Sequence, residues 1–488
     1  MSAVRRIAKN AALLYASRIM STALKFVLFI YIARTLGDVT LGKFTFAIVF
    51  TTFFSILIPL GLDDLLVRDV SRDKTAAAKY LGNIAALRLF LSAIAFILMV
   101  TVIYLMDYPD DTRLAVAIFG GYAVFTAFSS LFRANFRAFE HMEWDAMLET
   151  LESVVTASVG IFLLFHGFGL IALSLTFLAA AAMNLIISFA LCSRRFTRPR
   201  LQLDASFLRT SLKAAIPFYI SMLFILYSRV DTVLLSALKG DAVVGVYNAA
   251  YQIVLAYDQF ILTFMIAIVP VISRLYVSSR TMLQVAYEKS FKYLVIVGFP
   301  VSIGGMVLAE KLIPFLYGTE FDESVLILRI LIWGCILSSM NRPMLFMLGA
   351  VNRQGTGALI AISAMLASFG INYLVIPRWS YLGSGATALI IGSLVTLAGW
   401  YAISRYAYKL PIARIILKPL AASLVMGALL YAGLLMDTNL LILIGLGAVS
   451  YVLVLHLIRV FSTDDYFLFR EAFRTGGQRL SRVRSAGP

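Results

Sequence analysis

The sequence predicts an all-α, polytopic membrane protein with about 14 transmembrane helices. Hydrophobic residues fill 61% of the 488 positions, charged residues only 14%, and the mean hydropathy is +0.90. A soluble chain of this length could not cover its surface with so few charges, so lipid must solvate much of it. Apolar runs of roughly 20 residues, enough to cross a ~30 Å hydrocarbon core, recur along nearly the whole chain. These runs are apolar at successive positions rather than alternating, which excludes barrel strands and leaves helices.

In chain order the spans fall near residues 11–35, 42–62, 83–106, 113–135, 146–166, 168–192 and 212–236. Seven more follow near 244–270, 290–310, 322–345, 356–376, 382–404, 417–436 and 439–460. Pro59, Pro217 and Pro300 lie inside spans. They are expected to kink them rather than break them, because neighbouring helices can re-satisfy the freed carbonyls. The first apolar stretch is too long for a cleavable signal peptide and is followed by further spans.

Basic residues set the expected orientation. With this threading, 31 of the 42 Lys and Arg residues fall on the side of the N-terminus and five lie within spans. Six lie on the opposite side: Arg34, Lys43, Arg113, Lys239, Lys311 and Arg378. That asymmetry predicts cytoplasmic N- and C-termini in a multi-pass protein of the cell membrane. The net charge of +16 is therefore mainly topological. The basic tail (Arg470, Arg474, Arg479, Arg482 and Arg484) is a candidate contact for anionic headgroups. No basic folded domain is available for nucleic acid.

Cys192 and Cys335 sit in apolar runs and imply no disulfide framework. His141, His166 and His456 are far apart and have no metal-ligand spacing, so no metal is expected. Gly383-x-Gly385-x-x-Ala388 resembles a dinucleotide fingerprint, but no strand precedes it and it opens a membrane helix. No phosphate-binding Gly-x-x-x-x-Gly-Lys-Ser/Thr loop occurs. No cofactor is expected, and no residue is singled out as catalytic.

Ionisable groups inside spans are functional candidates by default, since exposure to lipid costs them several kcal/mol. On the first helix Arg18, Ser21, Thr22 and Lys25 follow i, i+3, i+4, i+7 and share one face, with Asn10 and Ser17 nearby. This stripe is expected to line a cavity; the competing reading is structural ion pairing or snorkelling. Span seven carries Arg229 and Asp231. Two residues apart on a helix they point about 200° away from each other, so both are not expected to face one cavity. Asp258 on span eight shares a face with Tyr247 and Tyr251. Asp231 and Asp258 are coupling-ion candidates, for a proton or Na+, with Arg229, Tyr247 and Tyr251 grouped with the cavity residues. Asp258 could hold such an ion or contact sugar hydroxyls; the alternative is a buried counter-ion for Arg18, Lys25 or Arg229. Arg88 is expected to snorkel, Arg329 is ambiguous, and Glu149 and Glu152 read as interfacial.

An internal repeat organises the chain. Gly37-Asp38-Val39-Thr40-Leu41-Gly42 leaves span one, and Gly240-Asp241-Ala242-Val243-Val244-Gly245 leaves span seven. Both glycines and the Asp coincide at an offset of 203, followed by a matching aromatic and Ala. Six spans separate the copies, so they start on the same side and form parallel repeats. Further stretches are Phe315-Leu316-Tyr317-Gly318 followed by Phe321, Ile371-Asn372-Tyr373-Leu374-Val375-Ile376-Pro377, and Leu382-Gly383-Ser384-Gly385-Ala386-Thr387-Ala388. With these the sequence resembles the multidrug/oligosaccharidyl-lipid/polysaccharide flippase superfamily, in its polysaccharide-transporter branch of O-antigen-type lipid-linked oligosaccharide flippases. The resemblance implies two six-helix lobes facing a central cavity and working by alternating access. The lobes would be residues 1–205 and 206–404. Residues 405–488 would add two spans, like those of fourteen-span members, and the tail. Ser17-Arg18 and the later Lys25 also look like the first helix of lipid-linked-sugar flippases.

The leading expectation is a non-enzymatic transporter, acting as a monomer, that flips a lipid-diphosphate-linked oligosaccharide for surface glycan synthesis. Arg and Lys in a hydrated cavity would offset the desolvation of phosphate, while the tail stays in lipid. A cation-coupled drug exporter of the same superfamily would favour an acidic or aromatic cavity. An integral-membrane glycan polymerase or glycosyltransferase would need a larger extramembrane loop than any here.

Overall fold

A computed structural model describes residues 3–460 except 200, 201 and 228. The basic tail and the side chain of Asn10 lie outside the described residues. All fifteen long elements are α-helices. They are α1 (Ala3–Ser55), α2 (Leu62–Arg72), α3 (Ala77–Leu105), α4 (Asp110–Ala138) and α5 (Met142–Phe165). Next come α6 (Leu170–Leu191), α7 (Ala205–Tyr227), α8 (Val230–Lys239), α9 (Asp241–Ser278) and α10 (Arg280–Tyr317). The chain continues through α11 (Glu323–Leu331), α12 (Gly334–Ala350), α13 (Gln354–Tyr406), α14 (Ile412–Leu435) and α15 (Leu440–Leu457).

Helix lengths convert these fifteen elements into fourteen crossings. α1 and α13 each hold 53 residues, or about 80 Å at 1.5 Å per residue, far more than one crossing needs. Each turns back at one non-helical residue, Gly37 (φ 74°) in α1 and Ser380 (φ 47°) in α13. Only glycine adopts the first of these geometries without Cβ strain. Span seven is split between α7 and α8, and span ten between α11 and α12. Among the described residues, ten helical stretches are long and apolar enough to cross, counting α1 and α13 once each. α7 with α8, and α9, complete the set.

Two expectations about single residues fail. Pro59 does not kink a span: α1 stops at Ser55, residues 56–61 form turns, and α2 begins at Leu62. α2 is too short to cross and buries Leu62, Leu65, Leu66 and Val70 against the bundle. Arg88 does not snorkel either. It is fully buried, bonded to Asp63 (2.5 Å), to the Ala127 carbonyl and to Ser130 (3.2 Å), so it ties α2, α3 and α4 together. Pro300 sits inside α10, which it does not break.

α1 lies at the centre, packed on α4 and α5 along one side and on α9 along the other. Where α1 meets α9 the two copies of the Gly-Asp repeat touch reciprocally. A Cβ added to Gly42 would sit 1.8 Å from the Asp241 carbonyl oxygen, and one on Gly245 would sit 2.0 Å from that of Asp38. Each glycine thus packs on the other copy's backbone, with room for hydrogen alone. Around this contact Arg34 donates to the Leu316 (2.8 Å) and Phe315 carbonyls, and Lys43 pairs with Asp111 at 2.6 Å. Tyr108 bonds Ser236 at 2.8 Å, and Lys239 reaches the Pro377 carbonyl at 2.8 Å. The Phe315–Gly318 motif therefore serves as a docking point for α1. Tyr317 packs on Phe29 and Phe321 behind it.

Candidate functional site

Beyond the glycine contact the two halves separate around a cavity of about 850 Å³. A smaller one of about 400 Å³ shares Lys25, Gln252, Leu255, Gln259 and Leu262 with it. The walls follow helical periodicity. α1 supplies Arg18, Ser21, Thr22, Lys25, Leu28, Phe29 and Ile32, and α9 supplies Tyr251, Val254, Leu255, Asp258 and Leu262. α8, α12 and α13 add Asp231, Ser338, Asn341, Arg342 and Asn372.

The four polar residues of the α1 stripe all line the cavities, Lys25 standing where the two join. Ser17 does not. It is buried against α5, its hydroxyl 2.8 Å from both the Ala146 carbonyl and Thr150 Oγ1. Among the described residues no carboxylate lies within ion-pair distance of Arg18 or Lys25. Glu149 lines the smaller cavity, but Arg133 holds it at 3.0 Å; Arg133 also binds Asp145 at 2.5 Å. Glu152 accepts a hydrogen bond from Asn184 within the bundle. Glu149 is therefore a cavity residue rather than an interfacial one. Arg329 instead pairs with Glu310 at 2.6 Å on an exposed edge.

Arg229 and Asp231 both line the larger cavity, contrary to the helical-wheel expectation. α7 ends at Tyr227 and α8 starts at Val230, with Arg229 (φ −130°, ψ 4°) outside both. The 100° per residue rule does not span a break. The Arg229 guanidinium stacks over the Tyr251 ring at 4.7 Å and donates to Asn248 at 3.2 Å. Asp231 accepts from the Thr232 backbone N–H (2.7 Å) and from the Tyr247 hydroxyl (2.5 Å). Tyr247 is thereby corrected: it is fully buried behind the wall, holding Asp231 rather than facing the cavity.

Asp258 is corrected as well. Its partner is none of the three expected cations but Arg342 of α12, whose Nε donates at 3.2 Å and whose Nη2 closes the fork; Ser338 adds a bond of 2.6 Å. The sequence reading passed over Arg342. Ser338, Asn341 and Arg342 stand at i, i+3, i+4 on one face of α12, the same signal that exposed the α1 stripe. Asn372 and Ser384, from two of the sequence motifs, bond each other at 3.1 Å beside the cavity.

A family described as "Polysaccharide biosynthesis protein" matches residues 7–276, more than half of the chain. The chain belongs to this family. It is a multi-pass membrane protein of the multidrug/oligosaccharidyl-lipid/polysaccharide flippase superfamily, and a second family, MatE, matches residues 217–374. The family member is 20% identical over 414 residues to the capsular polysaccharide biosynthesis protein CapF of Staphylococcus aureus, covering 82% of this chain and 99% of the relative. It is 21% identical to the probable low-salt glycan biosynthesis flippase Agl15 of Haloferax volcanii, covering 83% and 85%. Its fold is that of the lipid II flippase MurJ in an inward closed conformation. The TM-score is 0.77 at 15% identity, covering 92% of this chain and 98% of the other.

Proposed function

We infer that this family member flips a lipid-diphosphate-linked oligosaccharide across the cell membrane by alternating access between its two repeats, for capsule or glycan synthesis. The observation that carries this reading is the pair Arg18 and Lys25, lining joined cavities without a carboxylate partner among the described residues. A cation left without a protein counter-charge inside a membrane is costly unless a ligand supplies the anion. Seven residues apart on one helix face, the two stand roughly 10 Å from each other, within reach of one diphosphate through their long side chains. The roles for which CapF, Agl15 and MurJ are named point the same way. The MatE match favours a second reading, a cation-coupled drug exporter, but an organic cation would meet like charge at α1.

The lobes of the proposal are residues 1–205 and 206–404, with the N- and C-termini cytoplasmic. Asp231 is the better coupling-ion candidate of the two carboxylates, because Arg342 occupies Asp258 while no cation lies within ion-pair distance of Asp231 among the described residues. The test is translocation of a lipid-diphosphate sugar in vesicles holding equal amounts of folded variants. Arg18→Gln with Lys25→Met is expected to lower the rate by at least about tenfold, since charge-assisted contacts to phosphate are lost. Asp231→Asn is expected to remove any dependence on a proton or Na+ gradient. Wild-type rates in the double variant would refute the cationic cavity and favour the drug exporter.

A further inference from the structure

The cavity walls differ in how their charges are held. On α1, Arg18 and Lys25 have no carboxylate partner among the described residues, whereas opposite them Arg342 and Asp258 form a closed fork. The fork has no net charge, so it adds little to attracting a phosphate. Yet it is not shielded: the Arg342 side chain is 36% exposed, and both residues line the larger cavity. Arg342 Nη1 takes part in no hydrogen bond among the described residues, and the carboxylate keeps a spare lone pair on Oδ2. Fixed donors beside fixed acceptors match sugar hydroxyls, each of which is both donor and acceptor.

The surroundings keep this patch rigid. Ser338, one turn before Arg342, donates to Asp258 at 2.6 Å. The neighbouring Asn341 accepts from Thr396 at 2.5 Å and donates to the Gly392 carbonyl at 3.3 Å, which ties α12 to α13. Gln252 and Gln259 add amides from α9, seven residues apart on one face.

We propose that Arg342 is a specificity-determining residue that binds the glycan of the cargo, that Asp258 is its positioning residue, and that α1 takes the diphosphate. This assignment rests on the flippase reading and divides the cargo between the two walls. Loss of Arg342 then harms cargo in proportion to the glycan that reaches α12, while loss of the α1 cations harms every diphosphate cargo.

Two probes separate these effects: a lipid diphosphate bearing one sugar, and the same lipid bearing an oligosaccharide. Both are assayed in vesicles with variants matched for thermal unfolding. Arg342→Gln is expected to slow the oligosaccharide about tenfold, as for one charge-assisted bond, and to leave the single-sugar lipid within about twofold. Arg342→Lys, which keeps the charge but loses the fork, is expected to fall between. Asp258→Asn should reproduce the Arg342→Gln pattern, because the guanidinium loses its anchor. Arg18→Gln is expected to slow both probes. Equal slowing of both by Arg342→Gln would make the fork merely structural and overturn the assignment, as would no slowing of either. If the wild type moves neither probe, the flippase reading itself fails, and this assignment falls with it.

Discussion

Substituting alanine for Gly42 or Gly245 should open the molecule at the end where the two repeats meet. The Cβ of Gly42→Ala would lie 1.8 Å from the Asp241 carbonyl oxygen, and that of Gly245→Ala 2.0 Å from the Asp38 oxygen. Carbon packs comfortably at about 3.5 Å, so each methyl requires the two backbones to part by roughly 1.5 Å. Neither obstruction is a flexible side chain that could swing aside. Overpacking of this kind costs about 1–3 kcal/mol per site, which lowers the closed-to-open ratio by about 5-fold to 150-fold. The assay is a spin-label distance between Val39→Cys and Leu238→Cys, both exposed at this end, in a background lacking Cys192 and Cys335. Each alanine variant should lengthen the mean distance and slow transport, and the double variant more so. Gly370→Ala, whose added methyl meets nothing within 4 Å, is the control. An unchanged distance together with full transport in the double variant would refute the expectation that this backbone contact holds the two repeats together at that end.

Two other predictions are simpler. Single cysteines at Asp107 and Asp110, both almost fully exposed, should react with an impermeant thiol reagent added outside intact cells. Arg353→Cys should react only after permeabilisation; the reverse pattern would invert the proposed orientation. At the start of α7, Asp204 accepts from the Phe207 N–H (3.0 Å) and Ser206 Oγ (2.7 Å) and pairs with Lys79 (3.1 Å). Bonds from Ser206 and Phe207, then Lys79, hold its carboxyl well below the ordinary range. A depressed folded-state pKa gives stability that is present above about pH 4 and is lost as pH falls through the folded value. Asp204→Asn should therefore flatten the acid limb of thermal unfolding in detergent, and an unaltered limb would dismiss the cap.

Membrane residence, the fourteen crossings and the α1 stripe were legible because each follows from composition or from one helical period. Arg18, Ser21, Thr22 and Lys25 needed only the 3.6-residue repeat of an unbroken helix to be placed together. That rule failed at Arg229 and Asp231, where the helix itself breaks between α7 and α8. It also misjudged Tyr247, whose face was correctly grouped with Tyr251 but whose depth was set by α8 packing over it. Arg88 read as a snorkelling cation because its partner Asp63 arrives from a different helix.

The sequence by itself determined the solvent, the number of crossings and the polar face of the first helix, which depend on residues close in the chain, and the repeat, which is a likeness between two stretches. Tertiary structure decided which charges stay unpaired. Arg342 meets Asp258 across 84 positions, and Gly42 meets Asp241 across the six spans that separate the two repeats. Side-chain type limits what a residue can bond, but inside a membrane the partner is whatever the neighbouring helix presents at that depth. That pairing separates the neutral fork on α12 from Arg18 and Lys25 on α1, although arginine stands in both places.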